Sequence, residues 1–128
     1  MRYSARNIFN VVDPQTYMCI VWGYRISHSL MLIRVSKSEP EELFEEPFFL
    51  TFEGVLYFEG PIRWKGVDFG ISTTDECARS LNRIKLSELV EKCRLFVAES
   101  SNLEIKIIAC DVTKTKDIPP DFAGLVPQ

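Results

Sequence analysis

The chain has 128 residues, which is the usual size of a single domain and enough to bury a substantial core. A hydrophobic content of 46% and a charged content of 26% are typical of globular proteins, so both a disordered chain and a membrane protein are disfavoured. The formal net charge of −3 is opposite in sign to the basic surface that nucleic acids attract, and we therefore expect no nucleic-acid partner.

Apolar residues at every second position predict strands in the first half of the chain. These strands are predicted over residues 18–26, 30–37, 48–59 and 67–72. The predicted buried face of the first strand consists of Met18, Ile20, Trp22, Tyr24 and Ile26. The third strand is the clearest, and Gly54 at its centre indicates a bulge, a bend or a break into a hairpin. Polar residues 27–29 and the Gly60-Pro61 turn separate the strands.

The second half of the chain changes to the helical period. Thr73 with Glu76 three residues later matches a capping box, so a helix is predicted to begin there. The stronger pattern covers residues 86–97, where six apolar side chains form one continuous helical stripe. Ser87 is the expected N-cap of this second helix. Alternation returns over residues 103–112 and predicts a final strand.

Together these elements predict one α+β domain over residues 1–128 with the order β-β-β-(β)-α-β. Consecutive strands joined by short breaks usually pair antiparallel, and a helix with one apolar stripe must cover a sheet face. We therefore expect an antiparallel sheet of four to six strands with one or two helices packed on one face. Residues 1–15 are expected to form an extended N-terminal segment, and the Pro-rich residues 114–128 an extended tail.

The four cysteines are spaced too far apart for a zinc site or for a disulfide framework. They are Cys19, Cys77, Cys93 and Cys110. We expect reduced thiols in a cytoplasmic protein, because cysteines in apolar stretches behave as small hydrophobic residues. No apolar run approaches the roughly 20 residues that span a bilayer, and no secretory signal is recognisable, so no membrane association is expected.

The sequence contains none of the common catalytic or nucleotide-binding motifs, so we assign no catalytic residue, no metal and no cofactor. Its charges are nevertheless uneven. Between residues 39 and 59 there are seven acids and no Lys or Arg, whereas residues 79–94 contain five basic residues and two acids. This asymmetry is the most distinctive feature of the sequence.

Four carboxylates surround an aromatic residue in the acidic stretch, which predicts a docking surface for a basic protein partner. The partner-binding candidates are Glu41, Glu42, Phe44, Glu45 and Glu46. Phe44 or Leu43 would serve as the apolar anchor. The alternative is a solvated loop that keeps the domain soluble and discourages edge pairing.

Trp64 lies between Arg63 and Lys65 and is a further partner-binding candidate, as an exposed platform. The alternative is an indole that folds back over the sheet edge. A second hypothesis is a pocket between helix and sheet, lined by polar and aromatic side chains. Its candidate residues are Tyr24, His28, Tyr57 and Trp64. His28 is the one histidine, and a simple turn residue is its alternative interpretation.

Residues 52–61, together with Trp64 and Phe69, resemble the central strands of small bacterial α+β proteins of immunity type or of unknown function. The resemblance carries no functional residue to this chain.

Two functional hypotheses follow from the charge pattern and the missing catalytic motifs. The first is a non-enzymatic protein-interaction domain, immunity-like or regulatory, with an acidic surface. The second is a small-molecule binding domain or an unrecognised hydrolase. A homodimer through a strand edge is compatible with both.

Overall fold

A computed structural model describes residues 2–38 and 46–122 of the chain. Within these residues the chain forms ten strands and one α-helix. The strands are β1 (Tyr3–Ala5), β2 (Tyr17–Arg25), β3 (Leu30–Lys37), β4 (Phe48–Glu53), β5 (Tyr57–Glu59), β6 (Arg63–Lys65), β7 (Phe69–Ser72), β8 (Arg94–Ser100), β9 (Leu103–Ala109) and β10 (Asp111–Thr115). The helix, α1, covers Thr74–Arg83. Across the described ranges, no helix combines the length and the apolar character needed to cross a membrane.

The strands form two five-stranded sheets in which every pairing is antiparallel. The first sheet has the order β1-β7-β8-β9-β5, and the second has the order β10-β4-β3-β2-β6. An α+β chain with antiparallel sheet is therefore confirmed. The predicted order β-β-β-(β)-α-β is corrected, because the structure is richer in strand and has one α-helix in its described part. Strands β1, β5 and β6 have three residues each, too few to show alternation in the sequence.

Apolar residues from both sheets meet in one cluster, the inter-sheet core. Its members include Cys19, Ile33, Leu50, Phe52 and Trp64 from the second sheet and Phe69, Phe96, Ile105 and Ile107 from the first. Phe52 lies at the centre, with its ring centroid 5.3 Å from that of Phe96 and 5.7 Å from that of Phe69. Because these aromatic contacts join one sheet to the other, they fix how the two sheets pack.

The strand predicted over residues 48–59 breaks at Gly54. β4 belongs to the second sheet and β5 to the first, so the chain crosses between the sheets at this point. The break is not a hairpin, because β5 pairs with β9. Gly54 has a φ of +63°, a conformation that favours glycine, and a Cβ there would lie 2.7 Å from Sγ of Cys110. The glycine therefore permits both the bend and the close approach.

Helix α1 begins where the capping box predicted it. Oγ1 of Thr73 accepts a hydrogen bond from the backbone N–H of Glu76 at 3.2 Å, and acidic residues occupy the first turn. Cys77 and Leu81 pack the helix on the outer face of the first sheet. The helix therefore covers the face of this sheet that points away from the inter-sheet core.

The prediction of a helix over residues 86–97 is wrong. Only a 3-10 turn, Ser87–Leu89, forms there, and β8 begins at Arg94. Phe96 faces the inter-sheet core, whereas Leu95 and Val97 belong to the cluster beneath α1. A strand that is buried on both faces has a continuous apolar run, and periodicity alone cannot distinguish such a run from a buried helix.

Strand β2 lies where it was predicted, but its buried face is the opposite one. Cys19 is fully buried in the inter-sheet core, whereas Tyr24 and Ile26 are 52% and 87% exposed. Trp22 packs on the outer face of the second sheet instead. Odd and even positions of β2 are both apolar, and its pairing with β3 shifts in register near Val21, so alternation could not identify the inner face.

The segment after β10 packs on the outer face of the second sheet. Phe122 is 3% exposed and lies in a cluster with Leu32 and Phe49. Residues 114–122 were predicted to be part of an extended tail, and the described part of that segment instead contains the end of β10 and this apolar anchor. Similarly, the predicted N-terminal segment contains β1, which pairs with β7.

Candidate functional site

Glu46 is the described member of the predicted acidic surface, since Glu41, Glu42, Phe44 and Glu45 lie outside the described residues. Glu46 is exposed and directly precedes the loop residue that leads into β4. It borders a shallow cavity of about 360 Å³, whose other walls are Pro47, Phe48, Lys114 and Lys116. Two lysines therefore line the same cavity as Glu46.

Trp64 occupies the centre of β6 and points into the inter-sheet core. Its side chain packs near the rings of Phe58 and Phe69, and the residue is 4% exposed. The indole Nε1–H donates a hydrogen bond to the backbone oxygen of Gly66 at 2.9 Å. Arg63 and Lys65, which flank Trp64, face solvent, because successive strand residues point to opposite faces. The indole is therefore folded inward and not displayed as a platform.

The other residues predicted to line a pocket lie in different environments. Tyr24 and His28 are exposed at the β2–β3 turn of the second sheet, where His28 has a φ of 65°. Tyr57 lies on the outer face of the first sheet, and its hydroxyl donates a hydrogen bond to Glu59 at 2.6 Å. That hydrogen bond raises the pKa of Tyr57. Tyr24, His28, Tyr57 and the buried Trp64 therefore do not line one common site.

A groove does lie between α1 and the first sheet, with other residues along its walls. Its volume is about 510 Å³, which is within the range of small-molecule sites. The lining residues are Glu76, Arg79, Ser80, Asn82 and Arg83 from α1 and Lys106 from β9. Arg79 and Arg83 are four positions apart and therefore neighbours on one face of the helix.

Carboxylates near the groove are held by Arg2. The Arg2 guanidinium forms ion pairs with Glu76 at 3.7 Å, with Glu99 at 3.3 Å and with Glu104. Glu76 also accepts a hydrogen bond from Oγ of Ser72 at 2.5 Å. These contacts anchor the N-terminal residues to the first sheet and occupy the acids that could otherwise neutralise the groove.

The same contacts favour the ionised form of Glu104 and the neutral form of Tyr3. The hydrogen bond from Arg2 lowers the pKa of Glu104 and raises the pKa of Arg2. Burial, followed by the hydrogen bond to Glu99, raises the pKa of Tyr3 to about 12. Near neutral pH the Arg2–Glu104 ion pair is therefore charged, and Tyr3 is neutral.

The two arginines of the groove differ from Arg2 in their surroundings. Among the described residues, no carboxylate lies within ion-pair distance of Arg79 or Arg83. Arg83 donates a weak hydrogen bond to Oγ of Ser80 at 3.5 Å, and Lys106 lies 3.9 Å from Glu104, which is already paired. The groove therefore presents a local positive field on a protein whose net charge is −3.

No protein-family model matches this chain, and no curated protein or solved structure matches it.

The groove arises from residues that sequence reasoning recognised only in part. The excess of basic residues over residues 79–94 was noted, and the spacing of Arg79 and Arg83 after the capping box places them on one helix face. Lys106 gave no local signal. Its position opposite Glu59 follows from the pairing of β5 with β9, a long-range contact that a single sequence does not contain.

Proposed function

We propose that this chain is a non-enzymatic binding domain that holds a small anionic molecule in the groove between α1 and β9. The observation that supports the proposal is the pair Arg79 and Arg83, which have no carboxylate partner in residues 2–38 and 46–122, on the wall opposite Lys106. Phosphate and carboxylate groups match the planar fork of a guanidinium, which can donate two parallel hydrogen bonds to them. The ligand class is therefore a small molecule that carries phosphate or carboxylate groups.

The structure of the groove favours orientation of an anion over covalent chemistry. Its lining contains two guanidinium groups, one ammonium group, a hydroxyl and an amide, all of which donate hydrogen bonds. Glu76 is the acidic member, and its carboxylate already accepts hydrogen bonds from Ser72 and pairs with Arg2. These donors can bind and position an anion. The proposal therefore follows the second hypothesis, a small-molecule binding domain.

Removing both arginines should weaken anion binding strongly. We expect Arg79→Gln with Arg83→Gln to lower the affinity by at least about tenfold, because each hydrogen bond to a charged group contributes roughly 1.5–3 kcal/mol. Isothermal titration calorimetry with inorganic pyrophosphate, a tricarboxylate and a nucleoside triphosphate measures the effect. An uncharged nucleoside serves as the reference ligand, and the affinity of the anions should fall as salt is added.

The matched control replaces two exposed basic residues on the edge strand of the second sheet. The double variant Arg63→Gln and Lys65→Gln removes the same charge but leaves the groove intact. It should bind the anions as the unaltered chain does. If both double variants lose the same affinity for the anions, the loss comes from the change in net charge and not from the groove. If none of the three anions binds more tightly than the uncharged nucleoside, the proposal fails.

The acidic stretch supports a second candidate, a docking surface for a basic protein, immunity-like or regulatory in role. β3 ends at Lys37 and β4 begins at Phe48, and these strands are neighbours in the second sheet. The sequence between them contains the five glutamates of residues 39–46. Clustered carboxylates would accelerate association with a basic partner and disfavour acidic ones.

Four charge-removing substitutions test this docking surface. Glu41, Glu42, Glu45 and Glu46 are changed to Gln, and recovery of basic proteins in a pull-down from the source cell should fall at least about fivefold, because steering by charge is lost. The matched control changes four exposed acids elsewhere, Glu88→Gln, Glu91→Gln, Asp117→Asn and Asp121→Asn. Both variants lose four negative charges. Unchanged recovery with the first variant would exclude the acidic surface.

Two further expectations accompany these proposals. A cytoplasmic compartment agrees with four cysteines that form no disulfide with one another. A homodimer through a strand edge would use one of the outer strands, of which β10 is the longest with five residues. Lys114 on β10 places a charge at that edge, a feature that limits uncontrolled pairing.

A further inference from the structure

Cys93 and Cys110 face each other across two neighbouring strands. β8 and β9 pair antiparallel with Arg94 opposite Ala109, so continuation of the register by one residue brings Cys93 opposite Cys110. Their Sγ atoms are 3.9 Å apart. A disulfide bond is about 2 Å long and requires Cβ atoms roughly 3.5–4.5 Å apart, close to the spacing of residues that lie opposite each other on antiparallel strands. Side-chain rotation with a small approach of the backbones can therefore close the bond.

The pair lies at the corner where the chain passes between the sheets. Cys110 joins β9 of the first sheet to β10 of the second, and its N–H donates a hydrogen bond to the backbone oxygen of Glu53 at 2.8 Å. Gly54 makes room for the sulfur, because any Cβ at that position would collide with it. Two crossing segments thus hold Cys110 in place beside its partner.

The two thiols differ in access. Cys110 is exposed, whereas Cys93 is buried. Burial, and next the neighbouring Cys110, raises the pKa of Cys93 to about 11, so this thiol is protonated near neutral pH. A reagent from solvent therefore reaches Cys110 first, and Cys93 lies directly behind it. This is the arrangement of an attacking and a resolving cysteine.

We propose that Cys93 and Cys110 form a reversible disulfide by exchange with a low-molecular-weight disulfide. Cys110 loses its proton to solvent, and its thiolate attacks one sulfur of that disulfide. A mixed disulfide forms, and one small thiolate is released and takes up a proton. Cys93 then loses its proton to solvent and attacks Sγ of Cys110, and the second small thiolate leaves and is protonated. Two protein thiols are oxidised to one disulfide, and the small disulfide is reduced to two thiols.

Proximity compensates for the scarcity of the Cys93 thiolate. Once Cys110 is in the mixed disulfide, the negative charge of a Cys110 thiolate no longer opposes ionisation of Cys93. The attack is then intramolecular, between sulfurs that start 3.9 Å apart, and such steps gain greatly in effective concentration. The exchange is independent of the anion groove, so neither proposal depends on the other.

Cys77 and Cys19 provide controls within the same chain. Cys77 belongs to α1 and is buried against the first sheet, and its Sγ lies 3.9 Å from the backbone oxygen of Cys93. Cys19 is fully buried in the inter-sheet core, where burial raises its pKa to about 12. Neither thiol is exposed to a reagent in solvent, and we expect both to stay reduced while the structure is folded.

The test uses the full chain in a mixture of glutathione and glutathione disulfide near neutral pH. After acid quenching, thiol titration and intact mass should show that two of the four thiols are lost, with a mass lower by two hydrogens. Peptide mapping should link Cys93 to Cys110, and a dithiol reductant should restore all four thiols. A link between Cys77 and Cys93, or four thiols that remain free throughout, would overturn the proposal.

Single substitutions separate the two steps. Cys93→Ser should accumulate the mixed disulfide on Cys110, whereas Cys110→Ser should form no internal disulfide and should react with glutathione disulfide at least tenfold more slowly, because its remaining thiols are buried. Cys77→Ser and Cys19→Ser should oxidise as the unaltered chain does. Circular dichroism verifies that each variant is folded, and the Cys93→Ser result stands alone if Cys110→Ser disturbs the corner. Rapid oxidation of Cys110→Ser, or a stable mixed disulfide in the unaltered chain, would contradict the exchange.

Discussion

Replacing Phe52 with Ala should lower the free energy of unfolding by about 3–5 kcal/mol. Phe52 has no exposed surface and comes from the second sheet, whereas its ring partners Phe69 and Phe96 come from the first. The truncation therefore leaves a cavity at the contact between the sheets. A loss of this size is a large fraction of the 5–15 kcal/mol that typically stabilises a domain. Urea unfolding followed by circular dichroism measures the change.

Ile26→Ala is the matched control for Phe52→Ala. Ile26 is 87% exposed, so its truncation should change the free energy of unfolding by less than about 0.5 kcal/mol. Phe52→Leu should fall between the two, because it retains part of the buried volume. If Phe52→Ala and Ile26→Ala cost the same, the two sheets do not pack through Phe52.

Local signals in the sequence located those elements that depend on neighbouring residues. β3 has the predicted limits, and α1 begins at the predicted capping box because the Thr73–Glu76 hydrogen bond is made within four residues. Gly54 marked the break in the longest predicted strand, because a positive φ, here +63°, is a property of one residue. Capping and backbone conformation are encoded locally, and a single sequence contains that information.

Features that depend on distant pairing could not be predicted in the same way. The run around Phe96 fits a helix as well as a strand with two buried faces, and only its pairing with β7 and β9 decides between them. The second sheet and the three-residue strands likewise follow from long-range contacts. Chain order alone does not state which segments become neighbours.

The candidate groove likewise combines features that are encoded locally with features that depend on distant pairing. The positions of Arg79 and Arg83 on one helix face follow from their spacing, but the residue across the groove, Lys106, follows from the sheet order. The residues of the predicted aromatic lining lie in different environments, because alternation within a strand does not state which face of a sheet is buried. Tyr24 faces solvent and Trp64 faces the core for that reason.

Replacing Trp64 with Ala should also cost about 3–5 kcal/mol of unfolding free energy. The indole is 4% exposed, packs near Phe58 and Phe69, and donates a hydrogen bond to the backbone oxygen of Gly66. The substitution removes the packing and the indole hydrogen bond to that oxygen, which keeps a weaker contact with Sγ of Cys19 at 3.6 Å. Trp64→Phe keeps most of the ring volume and loses the hydrogen bond, so we expect a cost of about 1–2 kcal/mol.

The two variants distinguish a core residue from an exposed platform. A platform would lose partner binding on truncation while the unfolding free energy stayed the same, whereas a core indole lowers stability in proportion to the volume removed. Arg63→Ala provides the matched control, because its side chain lies on the same short strand and faces solvent. We expect urea midpoints in the order Trp64→Ala, Trp64→Phe and Arg63→Ala, from lowest to highest. An unchanged midpoint for Trp64→Ala would return Trp64 to the surface and restore it as a candidate for partner binding.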